Sequence, residues 1–152
     1  PKLPADREAL SRWGRPLTGD SYVSMPKGPV LSQTYDLINY PEPPGPKSYW
    51  HRFIQKKAYI VSLKEDPDVD ELSRREIGLI AELVRKYRNK SWGQMIDICH
   101  ECCPEWQDPG KTSVPIRIED ILRKTKKSQK EIDRVKREAS ELAYFDSILP
   151  QI

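Results

Sequence analysis

The run from Ala5 to Ile38, ADREALSRWGRPLTGDSYVSMPKGPVLSQTYDLI, decides how the chain begins to fold. Ala5, Ala9, Leu10 and Trp13 fall near one face of a helix, of which Asp6 to Trp13 is the end. Gly14 follows where a left-handed residue closes a helix. Arg15-Pro16 then opens a loop, because proline has no amide with which to continue the helix. Asp20 to Met25 alternates around Tyr22 and Val23 and predicts a short strand. Gly28 to Asn39 sets Val30, Leu31, Tyr35, Leu37 and Ile38 at roughly helical spacing, with Ser32 as candidate start, and predicts one short helix. The next run rich in Tyr, Ile and Val, Ala58 to Leu63, is the predicted partner of Asp20 to Met25 in a small antiparallel ribbon.

Working outward, Tyr40 to Tyr49 (YPEPPGPKSY) holds four Pro and one Gly in ten residues, which excludes helix interior and central strand and predicts a surface loop. Asp66 to Asp70 is a second, acidic turn. Three helices then announce themselves by capping boxes, in which a Ser and a Glu or Gln three residues later each satisfy an orphan amide of the first turn. Ser73 with Glu76 opens one with Ile77, Ile80, Val84 and Tyr87 as its expected buried stripe. Ser91 with Gln94 opens the second, with Trp92, Met95, Ile96 and Cys99 on one face. Ser128 with Glu131 opens the last, long helix, whose stripe is Ile132, Val135, Ala139 and Leu142. The expected class is mainly α with a small antiparallel β-ribbon, a compact helical α+β domain occupying residues 1–152.

Composition limits what this domain does. Hydrophobic residues make up 37% and charged residues 32%, and a mean hydropathy of −0.74 predicts a thin core. No run approaches the roughly 20 apolar residues that span a bilayer, and Pro1 to Leu10 has no signal-peptide character, so membrane and secretion are disfavoured. Three Cys is an odd count that suits a reducing compartment, and the expected location is the cytoplasm. The net charge of +3 is unevenly spread: Lys111 to Ser140 carries ten Lys or Arg against five acids. The C-terminal part, 115–149, is therefore the basic end.

No catalytic constellation stands out, and the chain is read as a non-enzyme without cofactor or metal. The only histidines, His51 and His100, lie in no recognisable nucleophile motif. Cys99, His100, Cys102 and Cys103 offer zinc-type ligands, yet all sit within five residues of one helix end, whereas structural zinc draws on two separated knuckles. The preferred reading packs Cys99 on the apolar stripe and lets His100 hydrogen-bond locally. Gly14 and Gly19 flank a loop and make no phosphate-binding turn. Glu65, Asp66, Asp68, Asp70 and Glu71 lack the spacing of a calcium loop. The basic run before and within the last helix, including Arg134, Lys136 and Arg137, suits phosphate contact in principle. It is interleaved with Glu131, Asp133, Glu138 and Glu141, which ordinary helical ion pairs explain. A nucleic-acid-binding regulator using this helix is the alternative function.

One combination of motifs goes further. Ala5-Asp6-Arg7 at a helix end, then Gly14, Pro16, Gly19-Asp20, Tyr22 and Gly28-Pro29 resemble the Ala-Asp-Arg, Gly-x-Pro-x-x-Gly-Asp, strand and Gly-Pro series of the Panacea domain, the SocA-like antitoxin family. Leu72-Ser73 with Glu76 resembles the family's Leu-Ser-x-x-Glu helix start, and His100, Pro104 and Trp106 its His-x-x-x-Pro-x-Trp. The resemblance spans about 5–107. It implies a mostly helical domain with a small ribbon, serving as the antitoxin of a bacterial or phage toxin–antitoxin pair by binding the toxin encoded beside it, with self-association as a further candidate. The family's upstream Lys-Leu-Leu-Tyr-like run is replaced by Pro1-Lys2-Leu3-Pro4, which implies a shortened or altered N-terminus, and Pro4 is expected to interrupt a helix there.

Bottom-up, Gly14, Gly19 and Gly28 read as turn positions stiffened by Pro16 and Pro29. Asp6 and Arg7 read as structural, pairing with each other's neighbours. For the toxin the candidate anchors are Tyr40, Lys47, Tyr49 and Trp50 in and beside the proline-stiffened loop, because aromatic side chains on a pre-ordered segment are favoured hot spots. Trp50 is equally a core candidate. Arg134 and Arg137 on the basic helix are the second choice.

Overall fold

The computed structural model describes residues 3–40, 49–68 and 71–148. Helix α1, Leu3–Trp13, leads into strands β1, Tyr22–Met25, and β2, Gly28–Leu31, and then helix α2, Ser32–Asn39. A short helix α3, Tyr49–Phe53, runs straight into the hairpin of β3, Ile54–Lys57, and β4, Ile60–Leu63. Helices α4, Arg74–Tyr87, and α5, Trp92–Cys102, follow. Strand β5, Val114–Ile116, and helices α6, Ile118–Lys124, and α7, Gln129–Ile148, complete the chain. The class is the expected α+β, helices around small antiparallel sheets. Among the described residues no helix is long and apolar enough to cross a membrane.

Pairing within the sheets differs from the expected ribbon. β1 is central in the order β2-β1-β5 and pairs antiparallel with both neighbours, Tyr22 facing Leu31 on one side and Ile116 on the other. Ile60–Leu63 pairs instead with Ile54–Lys57. In both hairpins a strand takes its nearest sequence neighbour across two residues, Pro26-Lys27 or Ala58-Tyr59, and so closes the shortest loop. Gly28–Leu31 consequently forms a strand where a helix was expected, and the helix starts only at Ser32. Pro29 and Pro115 sit on the two outer strands, where a missing amide breaks no interior ladder.

Pro4 does not interrupt α1. It lies in the first helical turn, where its missing amide has no intrahelical partner to lose. Gly14, at φ +70, closes the helix with its amide on the Leu10 carbonyl at 2.9 Å. One face of α1 sends Leu10 into a core with Tyr22, Leu31, Cys103, Ile116, Ile121, Leu122, Ile132 and Val135. The other packs Ala9 against Leu79 and Leu83 of α4. Much of the main core thus comes from residues beyond 107.

The capping boxes at Ser73, Ser91 and Ser128 form as expected, each with reciprocal amide bonds. Their apolar stripes are rotated. On α4, Leu79 and Leu83 are buried while Ile77 and Val84 are exposed, because α1 docks on the Leu79 side. Trp92 is 67% exposed, with Lys27 over its ring at 4.8 Å, and only Cys99 of its stripe is buried. Ile132 and Val135 of α7 enter the core, but Ala139 is exposed.

Two expectations follow. Leu79→Ala should cost about 2–5 kcal/mol of stability in urea unfolding, as for other buried Leu truncations, whereas Ile77→Ala should stay within about 1 kcal/mol. A fragment ending at Gln107 should lose cooperative thermal unfolding, since it lacks β5 and the α6 and α7 side chains of the core.

Candidate functional site

Several of the residues that carry the family resemblance, Asp6, Gly14, Pro16, Gly19, Asp20 and Tyr22, lie at or beside the turn between α1 and β1. Asp6 is fully buried. Its carboxylate accepts the amides of Leu17 at 2.7 Å and Thr18 at 2.8 Å, the Thr18 hydroxyl at 2.5 Å and the Tyr22 phenol at 3.3 Å. Burial and the adjacent Asp6 charge push the Tyr22 phenol well above its ordinary range. Gly19, at φ +66, then redirects the chain. Asp20 accepts the amides of Ser21, Gln33 and Thr34 and the Thr34 hydroxyl, so it closes the N-terminus of α2 from outside that helix. Burial works to raise the Asp20 carboxyl, yet these hydrogen bonds outweigh it and hold the group below the usual carboxylate range.

Arg7 faces the other way and bonds buried Glu105, Nε to Oε1 at 3.1 Å. Burial raises the Glu105 carboxyl, and Arg7 offsets that in part. Trp106 donates its indole N–H to the Met25 carbonyl at 2.9 Å and stacks on His100 with ring centres 4.0 Å apart. The expected local hydrogen bond of His100 is absent: its Nε2 is buried without a partner among the described residues. Gly28, at φ +116, is the point where β2 meets α5, and a Cβ there would stand 3.4 Å from that of Cys99. Asp6, Arg7 and Gly28 thus have specific contacts here, whereas a Cβ on Gly19 would meet nothing within 4 Å.

Beside this turn lies a groove of about 550 Å³. Gly14, Pro16, Gly19 and Tyr22 form one wall, and Ile118, Val135 and Glu138 the other. Arg134 reaches the rim, its guanidinium 3.3 Å from where a Gly14 Cβ would stand, and pairs with Glu138 at 3.7 Å. Nearby cations are similarly engaged: Lys136 of α7 meets Glu119 at 3.0 Å, and Lys127, just before the helix, meets Glu131 at 3.3 Å. Among the described residues Arg137 is in no ion pair, and it lines a shallow surface with Lys130, Asp133 and Lys136.

The aromatic candidates lie elsewhere. Tyr40, 62% exposed, and half-buried Trp50 flank a recess of about 270 Å³ with Leu37, Ile38, Ile54 and Val61. Tyr49 begins α3, and Lys47 falls outside the described residues. Next to this recess the β3–β4 hairpin exposes apolar side chains that were not singled out: Tyr59 at 99%, Ile60 at 70%, Leu63 at 55% and Val61 at 44%. Their signal is the β-rich run itself, which was read for its pairing and not for what its faces meet. Among the described residues each of these two strands pairs only with the other, and two-stranded ribbons are marginal alone.

Asp6→Ala should destabilise by about 1–3 kcal/mol, because it removes a fully buried acceptor shared by two amides, a hydroxyl and a phenol. Asp20 should show in acid. Its folded pKa is depressed, so its contribution is complete above the unfolded value of about 3.9 and is lost as pH falls through the lower folded value. Urea midpoints measured downward from pH 5 should therefore fall less steeply in Asp20→Asn than in the unaltered protein.

Against known proteins, residues 4–107 match the family model described as antitoxin SocA-like, Panacea domain. No curated protein sequence and no solved structure matches the chain.

Proposed function

The chain belongs to the SocA-like antitoxin family of Panacea domains, and from that premise we propose that it neutralises a toxin encoded beside it by binding that protein directly, without catalysis. Residues 1–152 act as one unit in a reducing cytoplasm, in keeping with three free thiols. The observation that supports the reading best is the apolar surface made by Tyr59, Ile60, Val61 and Leu63 with Tyr40 and Trp50 beside it. Exposed apolar side chains gathered on one small hairpin, here on both of its faces, favour an interaction surface. An edge with unpaired amides and carbonyls also accepts an added strand, main-chain bonds giving affinity and alternate side chains giving choice of partner. Tyr40 and Trp50 border the recess beside this surface, and Lys47 and Tyr49 stay toxin-binding candidates from their place in the sequence alone.

The test is co-expression with the adjacent gene product. The pair should restore growth and co-purify, and a harmless neighbour that forms no complex would overturn the reading. Tyr59→Ala with Ile60→Ala should leave the thermal melt nearly unchanged, since both side chains already lie in water. The same pair should weaken toxin binding at least about tenfold, equivalent to about 1.4 kcal/mol. Unchanged affinity there, with loss in Arg134→Ala and Arg137→Ala, moves the interface to α7.

A further inference from the structure

The second run of chemistry-bearing residues, CHECC at 99–103, has no part in the toxin surface. It ends α5 with two neighbouring thiols of unlike exposure. Cys103 is fully buried in the main core, whereas Cys102 is half-buried and lines an open recess of about 500 Å³ with Lys86, Tyr87, Lys90, Ile98 and Glu101. The two sulfurs are 3.6 Å apart, within reach of a hydrogen bond. Cys99 is buried on the preceding turn. Among the described residues no group of three His, Cys, Asp or Glu side chains is arranged to hold a metal ion.

We propose that Cys102 is a peroxide-reactive thiol and that Cys103 resolves its oxidised form as a vicinal disulfide. In the first step the Cys102 sulfur attacks one oxygen of hydrogen peroxide. An S–O bond forms, the O–O bond breaks, and the departing hydroxide takes a proton to become water. In the second step the Cys103 sulfur attacks the Cys102 sulfenic acid. The S–S bond forms, the S–O bond breaks, and hydroxide leaves with the Cys103 proton as a second water. Each sulfur gives up one electron overall, and peroxide accepts both.

Charge and access assign the two roles. The hydrogen bond from Cys103 lowers the Cys102 thiol to about 7, with Arg7 and Lys86 adding to it against the effect of burial. That same bond, and then burial, drives Cys103 upward, and burial raises Cys99 as well. At pH 7 Cys102 therefore carries about tenfold more thiolate than an ordinary thiol. The lower intrinsic nucleophilicity of a low-pKa thiolate trims this to a gain of about threefold. Selectivity comes mainly from access, since Cys99 and Cys103 are closed to solvent. The bond would join adjacent residues whose Cα atoms are about 3.8 Å apart, below the usual disulfide span of about 4.4–6.8 Å. Strained bonds of this kind are readily reduced, so a small thiol should reverse the change.

The test uses the reduced full chain at pH 7, exposed to a small molar excess of hydrogen peroxide, alkylated after unfolding, digested and weighed by mass spectrometry. The peptide bearing Cys102 and Cys103 should lose two hydrogens and take no label at either residue. Cys99 should be labelled, and glutathione should restore labelling of the pair. In Cys102→Ala, oxidation of this peptide should slow at least about tenfold, because the remaining thiols are buried and protonated. Cys103→Ala should leave a sulfenic acid on Cys102 that dimedone traps. If that variant does not fold, the unaltered chain and Cys102→Ala still decide. The proposal is overturned if Cys99 oxidises first, if Cys102 forms only a disulfide between chains, or if Cys102→Ala oxidises as fast as the unaltered protein.

Discussion

The carboxylate of Asp6 is the constraint on which the start of this fold depends. A buried ionised group is tolerated only when its lone pairs are used, and here the donors come from the turn at Leu17 and Thr18 and from Tyr22 of the central strand. One side chain on α1 thereby fixes where the chain goes after Gly14 and how β1 enters the sheet. Asp20 repeats the device one step later, binding the start of β1 to the first turn of α2. Because Arg7 follows Asp6 directly, the same helix end also clasps Glu105, and the segment after α5 is drawn onto the motif. Removal of Asp6 would free this turn and leave the clasp without a fixed base.

How much of this was legible follows from the range of each interaction. The capping boxes at Ser73, Ser91 and Ser128 join residues three apart, so composition and spacing alone reveal them, and the glycine at 14 is equally local. Which face each helix buries was not legible, because α4 carries apolar residues on more than one side. Leu79 and Ile77 are equivalent until α1 arrives to cover one of them. Strand pairing failed for a related reason: Gly28 to Leu31 has helical spacing as a string, and only the two-residue turn before it makes a strand of it. β5 has three residues and a proline, too short for any periodic signal, yet Ile116 completes the core.

The proposed binding surface was half legible in the sequence. Tyr40 and Trp50 border a recess as their place beside the proline-rich loop suggested, but the more exposed group is the hairpin behind them. Its Tyr, Ile and Val content marks a strand, and a β-rich run says nothing of what its faces meet. Exposure depends on what covers a strand, and among the described residues β4 pairs only with β3. The cysteines show the same limit. Proximity in sequence placed Cys102 and Cys103 side by side, but only folding puts one toward a lysine-lined recess and the other into the core.

Taken together, these positions divide the chain into a frame and a face. Asp6, Arg7, Asp20, Gly28 and Trp106 direct their interactions inward: hydrogen bonds, an ion pair, or a close approach to α5. Substituting them disturbs folding before it disturbs recognition. Tyr59 lies almost wholly in water and Ile60 is 70% exposed, so changes there are expected to alter stability by about 0.5 kcal/mol. A partner-binding face built from such residues is free to change without endangering the frame. Membership of the family therefore carries information about how the chain folds, while under the proposed function the choice of partner would rest on side chains on which the fold makes little demand.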